Sequence, residues 1–261
     1  MKKLLAMVMC VCLAVMFTAC GKSKDQTDSE YVKEKGKLVI GITDYAPMDY
    51  EKTKGSGEWI GFDADMAKAF AKELGVEAEF VVIEWDNKLM GKSIDCVWNG
   101  MTITDEVENG MEVSNAYCKN TQVVVVKKDA ADKYKTVESV KDLKFAAEAG
   151  SAGEKALKGL GYSVTAVGAQ SDALMEVNAG TSDAAVIDLL MAGAMIGDGT
   201  SYENLAYTVG IADEEDFGVG FRKGSDLAEK LNDFFKKAYS DGSMKETATT
   251  YGVQEAVIEQ K

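Results

Sequence analysis

The side chains able to do chemistry in this chain are sharply limited: it has five cysteines and no histidine. Without histidine the commonest general base near neutral pH and the commonest transition-metal ligand are both missing. Ser-His-Asp and Cys-His catalysis are excluded. The cysteines stand at 10, 12, 20, 96 and 118, with no CxxC pair and no metal-ligand spacing, so neither a metal nor another cofactor is expected. Acids outnumber bases 43 to 29, a formal net charge of −14. Such a surface repels nucleic acid and anionic lipid headgroups, so neither is an expected partner.

Cys20 differs from the other cysteines because of what precedes it. Lys2 and Lys3 lead into an apolar run over residues 4–17, followed by Thr18, Ala19 and Cys20. A charged start, a short apolar stretch and small residues before a cut mark a secretory signal, and the run is too short for a comfortable membrane span. The segment resembles a bacterial lipoprotein signal, in which the cysteine becomes the lipidated first residue; Phe17 stands where that pattern prefers Leu or Val. The expectation is a signal peptide over 1–19, lipid attachment at Cys20, a flexible polar tether over 20–36, and a membrane-anchored protein facing the extracellular side or the periplasm. Cys96 and Cys118 are then the remaining thiols. Cys96 sits in an apolar, strand-like stretch and reads most simply as a small buried hydrophobe, with a Cys96–Cys118 disulfide as the alternative.

The elements that must position any site alternate between two periods. Residues 37–42 (KLVIGI) form a short branched apolar run, a buried strand. After the chain's only proline, Pro47, the residues Phe62, Met66, Ala69 and Phe70 fall at helical spacing; Asp63 and Asp65 suit a first turn and Gly75 suits a stop. Strands are predicted over 77–83, 94–98, 121–127, 144–147, 163–167 and 183–187, and helices after Gly150 and over 172–178, 227–239 and 243–251. Strand and helix taking turns implies α/β layers with parallel sheets. The units SIDCVW (93–98) and SDAAVI (182–187) look alike, a hint of two similar lobes.

The order LVIGITDYAPMDY (38–50), GFDADMAKAFAKELGV (61–76), WD (85–86), NGMTITDE (99–106), AAEAGSAGE (146–154), SDAAVID (182–188) and FGVGFRKGS (217–225) resembles the polar amino-acid family (family 3) of solute-binding proteins serving ATP-binding-cassette (ABC) importers. The resemblance implies an α/β, two-lobe periplasmic-binding-protein-like fold (type II), each lobe a mostly parallel sheet flanked by helices, joined by two crossover hinge strands. It places lobe 1 at 37–118 plus 216–261 and lobe 2 at 122–210. It implies a monomer without enzymatic activity that delivers a small polar, amine-bearing solute to the permease. On the family pattern Tyr45 and Trp85 are aromatics against the ligand, and Asn99, Gly100, Met101 and Thr102 form a first-lobe loop lining the site. Ser151 and Ala152 open a helix whose free N–H groups can take a carboxylate, and Asp188 holds an α-amino group.

Two departures carry information. Where the family has an arginine that clamps the α-carboxylate, this chain has Val107, and its single arginine, Arg222, lies far away. Glu148 stands at a position that in relatives can contact the ligand. Glu148 and Asp188 without an arginine make a net negative cleft, suited to an amine, a quaternary ammonium compound or a basic amino acid, with Tyr45, Trp85 and Trp98 as cation–π partners. Lys88 or Lys119 is the alternative source of positive charge. Two other functions stay open at this point: a dehydratase-like enzyme using Glu148, and a sensory, ligand-presenting protein.

Overall fold

Two sheets of closely similar plan carry the molecule, described over residues 26–90 and 93–261 in a computed structural model. The expected signal peptide and Cys20 lie outside the described residues. The first sheet has the order β4 (Glu77–Val82), β1 (Lys37–Ile42), β5 (Cys96–Thr102), β13 (Glu215–Arg222), β6 (Met111–Val113), and β7 (Cys118–Asn120) also pairs with β13. The second has the order β10 (Val164–Val167), β9 (Phe145–Glu148), β11 (Ala184–Asp188), β8 (Gln122–Lys127), β12 (Leu205–Gly210). A short ribbon of β2 (Tyr50–Glu51) and β3 (Trp59–Ile60) flanks the first.

In each sheet three strands run parallel and the rest do not. The β1 strand is parallel to β4 and β5, and β9 to β10 and β11, whereas β13 is antiparallel to β5, β6 and β7, and β8 to β11 and β12. The sheets are therefore mixed rather than parallel throughout. The parallel strands are joined through helices, as parallel pairing requires. Of the antiparallel ones, β8 and β13 arrive from the other lobe, directly after β7 and β12, with no helix between. The look-alike units at 93–98 and 182–187 lead into β5 and β11, which hold matching places, each between a parallel neighbour and a crossover strand.

The helices are α1 (Asp28–Lys35), α2 (Phe62–Leu74), α3 (Asp105–Gly110), α4 (Ala152–Gly159), α5 (Gln170–Ala179), α6 (Leu189–Met195), α7 (Leu227–Ser240) and α8 (Ser243–Thr250). Gly75 ends α2 in the left-handed conformation at φ 80° and Gly180 ends α5 at φ 79°, where a Cβ would be costly. Both α2 and α7 bury one face on the first sheet, and there Trp98, Phe70, Tyr117 and Phe235 meet edge-on or tilted with centroids 5.5–6.4 Å apart. Trp98 is thus a core side chain and not a cleft aromatic. Alternation along β5 explains it, because Trp98 points to the α2 side while its neighbours Val97 and Asn99 point away.

The tether expected over 20–36 does not extend that far. Residues 28–35 are helical, with a reciprocal capping box between Thr27 and Glu30 and a left-handed Gly36. Val32, Asp28 and Ser29 are buried. Arg222 reaches Asp28 at 3.2 Å and Lys35 donates to Asp95 at 2.6 Å, so the segment is pinned to the first lobe by charge pairs rather than by an apolar stripe. That is why apolar periodicity gave no sign of it. Cys96 and Cys118 are free, buried thiols. They face Phe221 and Phe217, four residues apart on β13 and hence roughly 13 Å along the strand, beyond the reach of a disulfide.

Candidate functional site

The cleft lies where strands of both sheets end, and its empty space, counted out into the solvent at its mouth, is about 470 Å³. Crevices at the carboxyl ends of parallel strands are where α/β proteins hold ligands, because helix starts and chain turns converge there. From the first lobe, the end of β5 contributes Asn99, Gly100, Met101 and Thr102. From the second, Glu148 comes from the end of β9, Ser151 and Ala152 from the start of α4, and Asp188 from the end of β11. Trp85 opens the 3-10 segment Trp85–Met90 of the first lobe.

Of the residues predicted for the site, Tyr45 alone does not line the cavity. It is 1% exposed and stands behind the wall: a Cβ on Gly100 would lie 2.6 Å from Tyr45 Cε1. Gly100, at φ 57°, therefore has two reasons to be glycine, its backbone conformation and this ring. Its N–H donates to Asp63 Oδ2 at 2.7 Å, and the Tyr117 hydroxyl donates to the same oxygen at 2.7 Å. Tyr45 and Asp63 thus fix the loop from beneath. The Tyr45 hydroxyl is buried near Asp188 without a well-formed hydrogen bond. Asn99 is committed to the scaffold too, exchanging bonds with the Thr43 backbone N–H (3.1 Å) and hydroxyl (2.9 Å).

The two acids of the second lobe are in unlike states. Asp188, 4% exposed, accepts from the side-chain amides of Asn120 (2.5 Å), Gln122 (2.6 Å) and Gln170 (2.5 Å), and its own N–H donates to Gln170 Oε1 at 2.8 Å. Burial, and next the neighbouring Glu215 carboxylate, push its pKa up to about 7 against these amides. Glu148, 2% exposed, has an Oε1 with no hydrogen-bond partner. Burial and then the charge of Asp188 raise its pKa to about 8, opposed by Thr43 and Lys88.

Positive charge comes from Lys88. It is buried, lines the cleft, donates to the carbonyls of Trp85 (3.2 Å) and Gly150 (3.1 Å), and sits 4.7 Å from the Trp85 ring centroid. Desolvation holds its pKa down to about 8. The face of Trp85 is thereby occupied by the protein's own cation, which corrects its expected role as a ligand-facing π surface. Val107 does line the cleft where the arginine was missed, and Lys155 lies nearby. Lys119 is elsewhere, exposed and paired with Glu214. Of the additional residues, Lys88 had a sequence signal, being a cation three residues after Trp85. Gln122 and Gln170 had none, since their importance comes from strands far apart in sequence.

The lobes are closed on each other. Lys88 reaches Gly150 across the cleft, Lys155 pairs with Glu106 at 2.5 Å, and a Cβ on Gly150, at φ 72°, would sit 2.7 Å from Asp86 Cα. At α4 the Ser151 hydroxyl accepts from Glu154 N–H at 3.1 Å, leaving the first-turn N–H groups of Ala152 and Gly153 without intrahelical acceptors.

A cleft of this build, between two mixed sheets linked by paired crossover strands, matches known proteins along nearly its whole length. The profile of "bacterial extracellular solute-binding proteins, family 3" matches residues 38–254. The arginine-binding extracellular protein ArtP of Bacillus subtilis (strain 168) is 30% identical over 255 residues, 94% of this chain and 95% of that one. The L-cystine-binding protein TcyJ of Escherichia coli (strain K12) is 30% identical over 220 residues, 82% of this chain and 81% of that one. An amino acid ABC transporter substrate-binding protein from Streptococcus pneumoniae, solved bound to L-arginine, superposes with a TM-score of 0.78 at 28% identity, covering 90% of this chain and 100% of that one. All three are named as binding proteins, which favours the solute-binding reading over the dehydratase-like one. Fold, cleft and relatives agree, and the chain belongs to the bacterial extracellular solute-binding proteins, family 3.

Proposed function

We propose that this protein captures an amino acid with a cationic side chain, arginine foremost, and delivers it to the membrane subunits of an ABC importer. The observation that carries the reading is the charge layout of the closed cleft: Asp188 held by three amides, Glu148 with a buried unpartnered oxygen, and a single deeply buried cation, Lys88. A buried carboxylate oxygen without a donor is costly, so a ligand that supplies one is bound preferentially. Asp188, with Thr102 and the Gly100 carbonyl, suits the α-ammonium. Lys88 and the first-turn N–H groups of α4 suit the α-carboxylate. Glu148 is left for the side chain. The arginine bound in the pneumococcal relative and the name of the B. subtilis relative support this choice.

The ligand is therefore a zwitterion with an extra positive charge rather than a simple amine, because Lys88 takes the duty that Val107 cannot. The protein acts as a monomer tethered to the membrane through lipid on Cys20, and hands over solute from the closed form, a population shift between open and closed lobes. Titration calorimetry on the chain lacking residues 1–24 tests the reading, with L-arginine, L-lysine, L-glutamine, L-glutamate and agmatine as ligands. L-Arginine should bind best, and agmatine, which lacks the carboxylate, about a hundredfold more weakly, the order expected when a buried charge loses its partner. L-Glutamate or L-glutamine binding as tightly as L-arginine would overturn it.

A further inference from the structure

Glu215 is the first residue of β13, directly opposite Asn120 of β7 where the two crossover strands pair. Its Oε2 accepts from three side chains: the Thr102 hydroxyl at 3.2 Å, the Gln122 amide at 3.0 Å and the Asn120 amide at 3.3 Å. Those two amides also donate to Asp188, at 2.6 Å and 2.5 Å. Two carboxylates thus share two NH2 groups at the hinge, with Thr102 attached from the first lobe. We propose that Glu215 is a positioning residue for the ammonium subsite, setting Thr102 as a hydrogen-bond acceptor and holding the amide cradle of Asp188 from the hinge strands.

A threonine hydroxyl has one proton to give. Thr102 gives it to Glu215, so only lone pairs remain to face the cleft, and an ammonium group can use them while an oxygen acceptor on a ligand cannot. The shared amides act similarly on Asp188: with one N–H directed to each carboxylate, they fix both acids in place and keep two like charges close together. A cation bound beside Asp188 relieves that repulsion. Because Glu215 stands beside Thr102 in the first sheet and bonds to Gln122 of the second, the relief favours the arrangement in which Gln122 and Asp188 stay close to it. Three ionisable groups face Asp188: Glu215 from β13, Glu148 from β9, and Tyr45 from the first lobe. Lys88 acts on Glu148 from the first lobe.

The inference rests on the reading of the cleft as an amino-acid site, so the test has an arm that needs no ligand. Carbon-detected NMR of carboxyl groups in the unliganded protein, with Asp188 assigned through Asp188→Asn, follows the titration of Asp188 in wild type and Glu215→Gln. Removing the like charge should move its midpoint downward by at least half a pH unit; an unmoved midpoint would overturn the proposal. Calorimetry with L-arginine is the second arm. Glu215→Ala, which leaves the Thr102 hydroxyl free to turn, should weaken binding at least tenfold. Glu215→Gln, whose carbonyl can still accept from Thr102, should weaken it less. Equal affinity for wild type and Glu215→Ala would overturn the proposal, and thermal unfolding of each variant establishes that it folds. A lowered midpoint in a protein that binds no amino acid would support the hold of Glu215 on Asp188 and overturn the functional reading alone.

Discussion

Asp188 and Glu148 end neighbouring strands of one sheet and line one cavity, yet the first is filled with donors and the second is short of one. The amide groups around Asp188 come from the protein's own strands and hold its geometry whether or not a ligand is present. Glu148 has no such company, and its satisfaction must come from whatever enters. One acid is therefore fit for a part of the ligand that never varies, the ammonium shared by all amino acids. The other is fit for the part that distinguishes one amino acid from the next. On the proposed reading, general affinity and choice of side chain are separated within a single wall of the cleft.

That separation can be broken most severely at Asp188. Asp188→Ala removes the charge opposite the ammonium and also strands the amides of Gln122 and Gln170 in a buried place, so affinity for every amino acid should fall by at least a hundredfold. Calorimetry over the ligand panel measures it, and a loss confined to basic amino acids would reverse the assignment of the two acids. At the other end, Glu148→Gln should cost L-arginine about ten- to thirtyfold while L-glutamine is unchanged or improved, since the neutral amide still fills the space. The ratio of the two dissociation constants is the measurement, and an unchanged ratio would mean that Glu148 does not choose the side chain.

This asymmetry was only partly readable from sequence. Glu148 and Asp188 were recognisable as cleft acids through the motifs AAEAGSAGE and SDAAVID, but nothing local distinguishes an acid cradled by amides from one that lacks a donor. The donors to Asp188 come from residues 120, 122 and 170, which reach it only once three strands and a helix start are assembled. Helices with apolar stripes, such as α7, were found nearly to the residue, whereas α1 was not, because it docks through Asp28, Ser29 and Lys35. Tyr45 and Trp85 were seen as aromatic, but their partners were not. A close contact with Gly100 turns one into a prop, and Lys88 over its ring turns the other into a seat for the protein's own cation.

The same contrast has a consequence for pH. Both acids have folded pKa values above their ordinary ones, near 8 for Glu148 and 7 for Asp188, so the unliganded fold holds protons that the unfolded chain has already lost. Their contribution to stability is present below about pH 4 and is lost as pH rises through 7 and 8. Lys88, depressed to about 8, behaves oppositely: the unfolded chain holds its proton longer, so stability recovers between about pH 8 and 10. Unliganded thermal stability should therefore dip near pH 8, by several kcal/mol relative to pH 5. Glu148→Gln should make the dip shallower, and calorimetric scans at fixed ionic strength would detect it. A profile that rises from pH 5 to 8 in both proteins would contradict the view of Glu148 as a carboxyl lacking a partner.

The smallest effect belongs to the cleft's outer edge, where Lys155 and Glu106 pair across the opening with side chains 49% and 61% exposed. Their separation matches that of many buried pairs, but water screens them, and exposed pairs contribute little. Lys155→Ala should therefore change arginine affinity by no more than about threefold, with the difference disappearing in high salt. Such a result would place closure under the control of the buried end, where Lys88 meets Gly150 across the cleft. A tenfold loss that persists in salt would instead mean that Lys155 reaches the bound ligand, making the cleft's second cation a partner of the carboxylate alongside Lys88.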